Sequence, residues 1–557
     1  MKRLLVLILL ATAQIALAGD PKLSPDLPTS GIRAIEVIVH FNLPPNAANL
    51  ANVSSLGPLK KQFTITNSIH MSIPPALIPW LKLLPFVSYI SPVRPVKGAL
   101  DVTAQTVAAN LAWQLGYDGS GVGVAVIDSG ISRLHDLTDR TGAVTRVVYS
   151  QNFTSGQSAP DDYGHGTHVA GIIGSNGLDS TGSLFTRTFK GVAPNVNLID
   201  LRVLDANGAG DESAVISAIQ TAIALKNTYN IRVINLSLGR PVFESYTVDP
   251  LCQAVEAAWK AGIVVVAAAG NFGRDNFLRT GGYATIASPG NDPYVITVGA
   301  TNSRGTASIY DDITASYSSK GPTLIDHIAK PDIVAPGNNV VSELAGTACT
   351  LYRMMPNARV AKSEYQGGTV SGTSASYLRL SGTSMATPVV AGAVALLLQK
   401  YPSLNPDQVK ARLMKTASKI LPPHSTAIDA VTYITYANQA DIFTIGAGYL
   451  NITAALANTD LVSRPAMSPR AVYDPSTKHA SIVRDFSVVW GDSVVWGDSV
   501  VWGDVAFNGK LVNGNSVVWG DSVVWGDSTA SGFSVVWGDT AGAASLLTAS
   551  AADDGDQ

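Results

Sequence analysis

Residues 101–460 are predicted to form an α/β domain with a doubly wound parallel sheet, which follows a small α+β unit and precedes a β-rich tail with repeats. Three observations lead to this prediction. Apolar, β-branched runs such as 122–127 and 263–267 alternate with Ala-rich helical stretches such as 211–226, as expected for a parallel sheet covered on both faces. The segment before residue 101 has a shorter, mixed pattern, and beyond residue 480 the composition changes abruptly.

The first eighteen residues have the pattern of a secretory signal peptide. Lys2 and Arg3 precede an apolar run from Leu4 to Leu10, and small residues follow as far as Ala18. We expect cleavage after Ala18 and a secreted, extracellular protein; a buried core helix is the alternative interpretation of the run. No later segment offers the ~20 apolar residues of a membrane span, so no transmembrane segment is predicted.

Residues 19–100 show a pattern of their own. Strand-like runs at 35–39, 68–73 and 87–90 are separated by two helix-like spans. This order predicts a small α+β unit in front of the sheet domain.

The composition argues against a disordered chain and against nucleic acid as a partner, because 46% of the residues are hydrophobic, 14% are charged and the formal net charge is -3. The two cysteines, Cys252 and Cys349, leave open one disulfide or two isolated buried thiols. Neither has a nearby His or a reactive-thiol motif, so neither is predicted to be a nucleophile.

The tail, residues 461–557, contains the hexapeptide Ser-Val-Val-Trp-Gly-Asp six times, starting at residues 487, 493, 499, 516, 522 and 534. Because six is an even number, consecutive repeats in an extended strand would place each Trp on the same face. Two interpretations remain open. The repeats either pack their own aromatic rings or fold onto the preceding domain, or they form a surface that contacts a polymer or a cell surface.

Two residues of the predicted sheet domain, an aspartate and a histidine, have side chains that can act together as an acid–base pair. Asp128 ends the strand 122–127 in Val-Ile-Asp-Ser-Gly, where its carboxylate can orient a base. His165 lies in Tyr-Gly-His-Gly-Thr-His, where flanking glycines leave room for a substrate beside the ring. His165 and His168 could instead bind a metal, but no third ligand has suitable spacing, and we expect His168 to be structural.

Nucleophilic attack on an amide bond also requires a hydroxyl as the nucleophile and a donor for the oxyanion. The sequence offers a serine and an asparagine for these two roles. Ser384 lies in Gly-Thr-Ser-Met-Ala-Thr-Pro before an apolar stretch that predicts a buried helix, with Pro388 in its first turn. A serine at a helix N-terminus meets backbone N–H groups that favour negative charge, although a helix cap would explain it equally well. Asn271 follows the strand-like run 264–270 and can donate to an oxyanion.

In the order Asp, His, Ser, these motifs resemble those of the subtilisin family of serine peptidases, over roughly residues 118–455. The resemblance implies a subtilisin-like sheet and a serine endopeptidase that acts on polypeptides and needs no cofactor for catalysis. It also implies the roles. His165 would take the proton of Ser384, Asp128 would hold the tautomer of His165, and Asn271 with the Ser384 amide would bind the oxyanion.

The resemblance extends to two further segments. Ser237, Leu238 and Gly239 resemble the family segment that pairs with the substrate backbone and forms a wall of its primary specificity pocket. Residues 19–100 are similar in pattern to the inhibitory propeptide of the family, which implies a zymogen whose own propeptide is an inhibitor. The junction is expected between Val96 and Thr106.

Three features depart from the family pattern. Val389 stands where the family usually has a His, and a second Gly-Thr-Ser puts Ser374 in what we interpret as an inserted loop. Asp136 matches a common calcium ligand, but the Asn-bearing loop that should complete the site is not recognisable near 177–190. Structural calcium therefore stays open, with no metal ligands assigned.

Two other functions use the same residues. A surface-adhesion protein with a vestigial peptidase domain would suit the repeats but not the intact motifs. A peptide ligase or cyclase would form the same acyl-enzyme and exclude water, and the sequence does not separate transfer from hydrolysis.

Overall fold

The computed structural model describes residues 20–24, 27–92, 99–100, 102–155, 160–276, 280–368, 370–474 and 479–483, with the pairs 501–502, 505–506, 512–513, 547–548 and 555–556. Its two compact units are Met1–Lys97 and Gly98–Gln557. The predicted signal peptide lies outside the described residues, and so does almost all of the repeat sequence.

The first unit is a four-stranded antiparallel sheet with two short helices. Its elements are β1 (Ile35–Phe41), α1 (Ala47–Ser54), β2 (Leu59–Phe63), β3 (Ser68–Ile73), α2 (Ile78–Lys82) and β4 (Val87–Pro92), in the sheet order β2-β3-β1-β4. Alternate residues of β1, such as Val37 and Val39, are fully buried together with Val53 and Leu81 of the helices. The unit therefore has an apolar core of its own.

The second unit contains the long sheet. Its first part consists of β5 (Ala99–Leu100), α3 (Val102–Thr106), α4 (Ala109–Gln114), β6 (Gly123–Asp128), β7 (Val147–Asn152), α5 (His165–Gly174), β8 (Arg187–Thr188), β9 (Asn197–Arg202), β10 (Ala209–Gly210), α6 (Glu212–Leu225), β11 (Ile231–Leu236), α7 (Pro250–Lys260), β12 (Val264–Ala268), β13 (Ile296–Asn302), β14 (Ile313–Thr314) and β15 (Ile333–Pro336).

Its second part consists of β16 (Val340–Glu343), α8 (Thr350–Met354), β17 (Arg359–Ala361), β18 (Thr373–Leu380), α9 (Thr383–Lys400), α10 (Pro406–Thr416), β19 (His424–Ile428), β20 (Thr435–Gln439), α11 (Ile452–Ala457), β21 (Arg470–Asp474), β22 (His479–Val483), β23 (Val501–Trp502), β24 (Val505–Ala506), β25 (Val512–Asn513) and β26 (Leu547–Thr548).

Eight strands form the long sheet, in the order β14-β13-β12-β11-β6-β9-β7 with β15 also paired to β13. All of its pairs are parallel except β13 with β14. Strands such as β6 and β12 are buried along their whole length, which explains their unbroken apolar sequence. The predicted α/β class is confirmed, and the parallel order brings the carboxyl ends of β6, β11 and β12 to one edge.

The segment between β15 and α9 differs from the expected loop. β16, β18 and β17 form a three-stranded antiparallel sheet, and Ser374 lies buried in β18. The Ser374 hydroxyl accepts hydrogen bonds from the backbone N–H groups of Ser376 and Tyr377 at 3.1 and 3.0 Å. These bonds, and the aromatic packing of Tyr377 in the small core beneath, give the segment a fixed strand structure.

Three further observations bear on the sequence-based expectations. Ala466 and Ala471, which we assigned to the tail, are buried in the core of the second unit. Cys252 and Cys349 are both buried free thiols, so they do not form a disulfide. Among the described residues, no helix combines the length and apolar character that crossing a membrane requires.

Candidate functional site

Asp128 and His165 are brought together at the carboxyl edge of the sheet. Asp128 is the last residue of β6, and His165 is the first residue of α5. His165 Nδ1 lies 2.7 Å from Asp128 Oδ1, and both side chains are fully buried. The same carboxylate oxygen accepts the backbone N–H of Ser129 at 2.7 Å. This pairing fixes the imidazole with its Nδ1 proton toward Asp128.

A second buried carboxylate, Asp161, supports the start of the histidine helix. Its Oδ2 accepts the backbone N–H and the hydroxyl of Thr167, at 2.9 and 2.6 Å, and its Oδ1 accepts Gly164 N–H at 2.7 Å and the Ser129 hydroxyl at 2.9 Å. Ser129 Oγ in turn accepts the N–H of Gly166 at 2.9 Å. Burial raises the pKa of Asp161, yet four donors on two oxygens are the environment of an ionised carboxylate.

Ser384, the second residue of α9, is held by Ser237, the residue after β11. The Ser384 hydroxyl donates to the Ser237 carbonyl at 3.1 Å, and the Ser237 hydroxyl donates to the Ser384 carbonyl at 2.9 Å. The helix begins at Thr383, so Pro388 lies in the second turn and not in the predicted first turn. Pro388 has no N–H for the Ser384 carbonyl, and the Ser237 hydroxyl supplies the missing donor.

Asn271 lies beside the start of the same helix. Its Oδ1 accepts the backbone N–H and the hydroxyl of Thr383 at 2.9 and 3.0 Å, while Gly270 N–H donates to the Thr383 hydroxyl at 3.2 Å. These bonds fix which end of the Asn271 amide faces the helix. They leave Nδ2 as the donor that points away from Thr383.

The predicted substrate-binding segment is mostly buried. Ser237 and Leu238 are fully buried, whereas Gly239 is partly exposed. Ser237 contacts Ser384 through both its hydroxyl and its carbonyl. A side chain on Gly239 would lie 3.0 Å from Ala287 Cβ and from the Ser288 carbonyl oxygen, so the backbone here passes close to the next segment.

His168 is buried in the packing of α5. Its Nε2 donates to the carbonyl of Leu378 in β18 at 3.1 Å, and burial lowers its pKa to about 3. The ring is therefore neutral at physiological pH. With Nε2 bound to a carbonyl, His168 does not offer that nitrogen to a metal beside His165.

Asp136, the residue that matches a calcium ligand of the family, is hydrogen-bonded by the protein on both carboxylate oxygens. Its Oδ1 accepts Asp179 N–H at 2.7 Å and its Oδ2 accepts the Tyr377 hydroxyl at 2.6 Å. His135, Asp136 and Asp179 are near enough to share an ion, but His135 Nδ1 pairs with Asp179 Oδ1 at 2.7 Å. Calcium binds six to eight oxygen ligands. The protein supplies two donors to Asp136 and one imidazole to Asp179 Oδ1, and structural calcium stays an open prediction.

Sequence reasoning missed Asp161, Ser129 and Thr383. The sequence signal for Asp161 is weak, because the N-cap position of α5 is Gly164 and Asp161 lies further upstream. Ser129 and Thr383 each adjoin a predicted site residue, but only the fold shows that their hydroxyls join the network. The Asp161 network and the pair Ser237–Ser384 make the edge of the sheet a rigid polar site.

Comparisons with known proteins show the family to which the chain belongs. A model of the Subtilase family matches residues 119–448. The chain is 37% identical to Serine protease AprX of Bacillus subtilis (strain 168) over 372 residues, which are 65% of this chain and 76% of that protein. It is 37% identical over 342 residues to Subtilisin DY of Bacillus licheniformis, covering 61% of this chain and 92% of that protein. It is 34% identical over 366 residues to Alkaline protease of Alkalihalobacillus alcalophilus, covering 65% and 77%. The chain therefore belongs to the Subtilase family of serine-type endopeptidases.

Proposed function

We propose that the chain is made as a secreted zymogen whose mature part hydrolyses peptide bonds through an acyl-enzyme on Ser384. The buried hydrogen bond between Asp128 and His165 is the observation that carries this proposal. A carboxylate on Nδ1 leaves Nε2 of His165 to accept a proton, and within the described part of the chain this Nε2 has no hydrogen-bond partner.

In the proposed reaction, the Ser384 hydroxyl turns from the Ser237 carbonyl toward His165 Nε2 when a substrate fills the site. Catalytic hydrogen bonds of free enzymes are often formed only in the substrate complex. Ser384 Oγ attacks the peptide carbonyl carbon while His165 takes its proton. The leaving amine receives that proton, and water, activated by His165 in the same way, hydrolyses the ester.

The negative charge on the carbonyl oxygen would be stabilised by two donors. These are Nδ2 of Asn271, oriented by Thr383, and the backbone N–H of Ser384 at the N-terminus of α9. Because Pro388 has no N–H, the Ser384 carbonyl lacks its helical donor, and the Ser237 hydroxyl binds this carbonyl instead. The first turn of α9 therefore keeps its helical geometry.

The nucleophile can be tested with a serine-directed fluorophosphonate. We expect the probe to label Ser384, and we expect Ser384→Ala to abolish both labelling and peptide hydrolysis and to leave a full-length, unprocessed chain. Ser374→Ala is the matched control, since Ser374 also follows Gly-Thr but lies buried in β18. An active Ser384→Ala chain, or a probe adduct mapped to Ser374 in the native chain, would refute the assignment.

The zymogen part of the proposal concerns residues 19–100. Their separate core and their position before the catalytic sequence support an inhibitory propeptide. Added in trans at micromolar concentration, this unit should inhibit peptide hydrolysis by the mature enzyme. A variant with Val39→Asp, which places a charge in its core, should not fold or inhibit. Equal activity with and without the native unit would exclude an inhibitory role.

A further inference from the structure

The last residues of the chain occupy a polar pocket on the second unit. Asp556 is 1% exposed, and its Oδ1 accepts Arg274 Nη2 at 2.9 Å and the Ser316 hydroxyl at 2.5 Å. Its Oδ2 accepts Ser316 N–H at 2.8 Å. Asn338 bonds the Asp556 backbone on both sides, with 2.8 Å to the N–H and 2.9 Å to the carbonyl. Every polar group of Asp556 is thus matched by the protein.

The pocket also requires glycine before the aspartate. Gly555 has φ +83, and a Cβ there would lie 2.4 Å from Ser381 Oγ and 2.5 Å from Asn338 Oδ1. The Gly555 carbonyl accepts Arg274 Nη2 at 3.1 Å and Ala430 N–H at 3.2 Å. A positive φ and a close approach together exclude other side chains. The pocket therefore selects the dipeptide Gly-Asp by geometry and by charge.

Gly-Asp is also the end of each Ser-Val-Val-Trp-Gly-Asp repeat, where Trp precedes the glycine. Asp556 and Asp429 form an antiparallel bridge. A repeat bound in the same register would place the residue before its glycine opposite Val431. Val431 lines a groove of about 360 Å³ together with Met355, Ala358, Leu380, Ser381 and Tyr433. In sequence, Asp554 precedes Gly555, whereas Trp precedes the glycine of every repeat.

The groove has the surface of a contact site for an aromatic side chain. Tyr433 is 70% exposed and Val431 is 58% exposed. Exposed apolar side chains that adjoin one another mark contact sites, and an indole would cover them. Asn357 also lines the groove and can accept a hydrogen bond from an indole N–H.

We propose that the pocket and the groove form a recognition site for the Trp-Gly-Asp sequence of a repeat from the same chain, and that Gly555–Asp556 competes for the same pocket. β22 already places residues 479–483 on the second unit, and Asp556 is bound to it as well. The repeats therefore lie between two attached points of the chain. This attachment favours an intramolecular occupant over a second copy through its effective concentration.

Photo-cross-linking of the full-length chain tests the proposal, with Ser384→Ala introduced to prevent self-cleavage. p-Benzoylphenylalanine replaces Tyr433, and in a second chain it replaces Val431 in case the first substitution disturbs folding. We expect intramolecular cross-links to the repeats, mapped by mass spectrometry, and a higher yield after Asp556→Asn. Asp→Asn in all six repeats should lower this yield at least about tenfold, the effect of losing one charge-assisted hydrogen bond.

Control variants and peptides test whether the cross-link depends on the Trp-Gly-Asp sequence and not merely on acidic residues in the tail. Asp485→Asn removes an acidic residue that does not follow glycine and should leave the yield unchanged. The peptide Ser-Val-Val-Trp-Gly-Asp-Ser should compete with the cross-link, and the same peptide with Gly→Ala should not. Cross-links only to residues 549–557, only to another copy, or unaffected by the six substitutions would overturn the proposal.

Discussion

Asp161→Asn should weaken both the stability and the turnover of the enzyme, although Asp161 is outside the proposed triad. The carboxylate receives four donors, two of which are backbone N–H groups of Gly164 and Thr167 at the start of α5. Asparagine has the same shape but replaces one acceptor oxygen with an NH₂ group. In either orientation of the amide, one of these two N–H groups loses its acceptor.

The expected loss of stability follows from the number of hydrogen bonds that Asp161 accepts. A buried N–H without a partner costs about 1 to 3 kcal/mol, and each remaining bond loses roughly 1 kcal/mol when its acceptor is no longer charged. The free energy of unfolding should therefore fall by about 3 to 5 kcal/mol. Since His165 is the first residue of α5, a shift of the first turn displaces the imidazole, and a displacement of ~1 Å can cost about 100-fold in rate.

Two measurements check this prediction. Urea unfolding in a Ser384→Ala background gives the stability without self-cleavage, and steady-state hydrolysis of a peptide substrate by the otherwise native chain gives kcat and KM. We expect kcat to fall about 10- to 100-fold because the His165 imidazole is displaced, while KM changes little. Asp162→Asn is the matched control, because Asp162 is 28% exposed and binds Arg202 through one contact of 3.2 Å. If both variants behave alike, Asp161 does not position the helix.

Three other changes should have distinct effects. Asn271→Ala should lower kcat about 100- to 1000-fold with little change in KM, the range already known for this donor in a subtilisin, and a smaller loss would remove Asn271 from the oxyanion site. Burial raises the pKa of Asp200 to about 7, so the folded chain holds a proton that the unfolded chain releases near pH 4, and stability should fall as pH rises between these values. Asp200→Asn should flatten that part of the pH profile of the melting temperature, and an unchanged slope would contradict the assignment. Gly171→Ala should destabilise the protein by about 1 to 3 kcal/mol in urea unfolding, because the new Cβ would lie 2.3 Å from Ser342 Oγ. Gly367→Ala, with its nearest neighbour at 3.6 Å, should change stability by less than about 0.5 kcal/mol, and equal effects at both glycines would refute the steric argument.

The sequence predicted the parts of the site that depend on local pattern. Asp128 follows an unbroken apolar strand, and His165 opens an apolar helix. In a parallel sheet the carboxyl ends of the strands share an edge, so the approach of these residues could be predicted from their order alone. The α/β class and the family resemblance were confirmed for this reason. The catalytic roles of these residues, the oxyanion role of Asn271 and the polymer contact of the repeats stay predictions.

The inserted segment could not be predicted in the same way. Its core depends on Tyr377, whose hydroxyl reaches Asp136 from 241 residues away in sequence. Neither residue indicates the other locally. The Asn-bearing loop was not recognisable at 177–190, which left structural calcium open, and only the fold shows that the Tyr377 phenol donates to Asp136.

Asp161 and the inserted sheet hold the histidine helix from different positions along its length. Asp161 binds the first turn, whereas further along Ser342 Oγ of β16 donates to the His168 carbonyl at 2.8 Å and His168 Nε2 donates to β18. In the proposed mechanism His168 must be neutral, because a second positive charge beside His165 would oppose the imidazolium formed in acyl transfer. Burial provides that neutrality, since it lowers the pKa of His168 to about 3. The helix can thus be fixed by a histidine three residues from the proposed base without an electrostatic cost to catalysis.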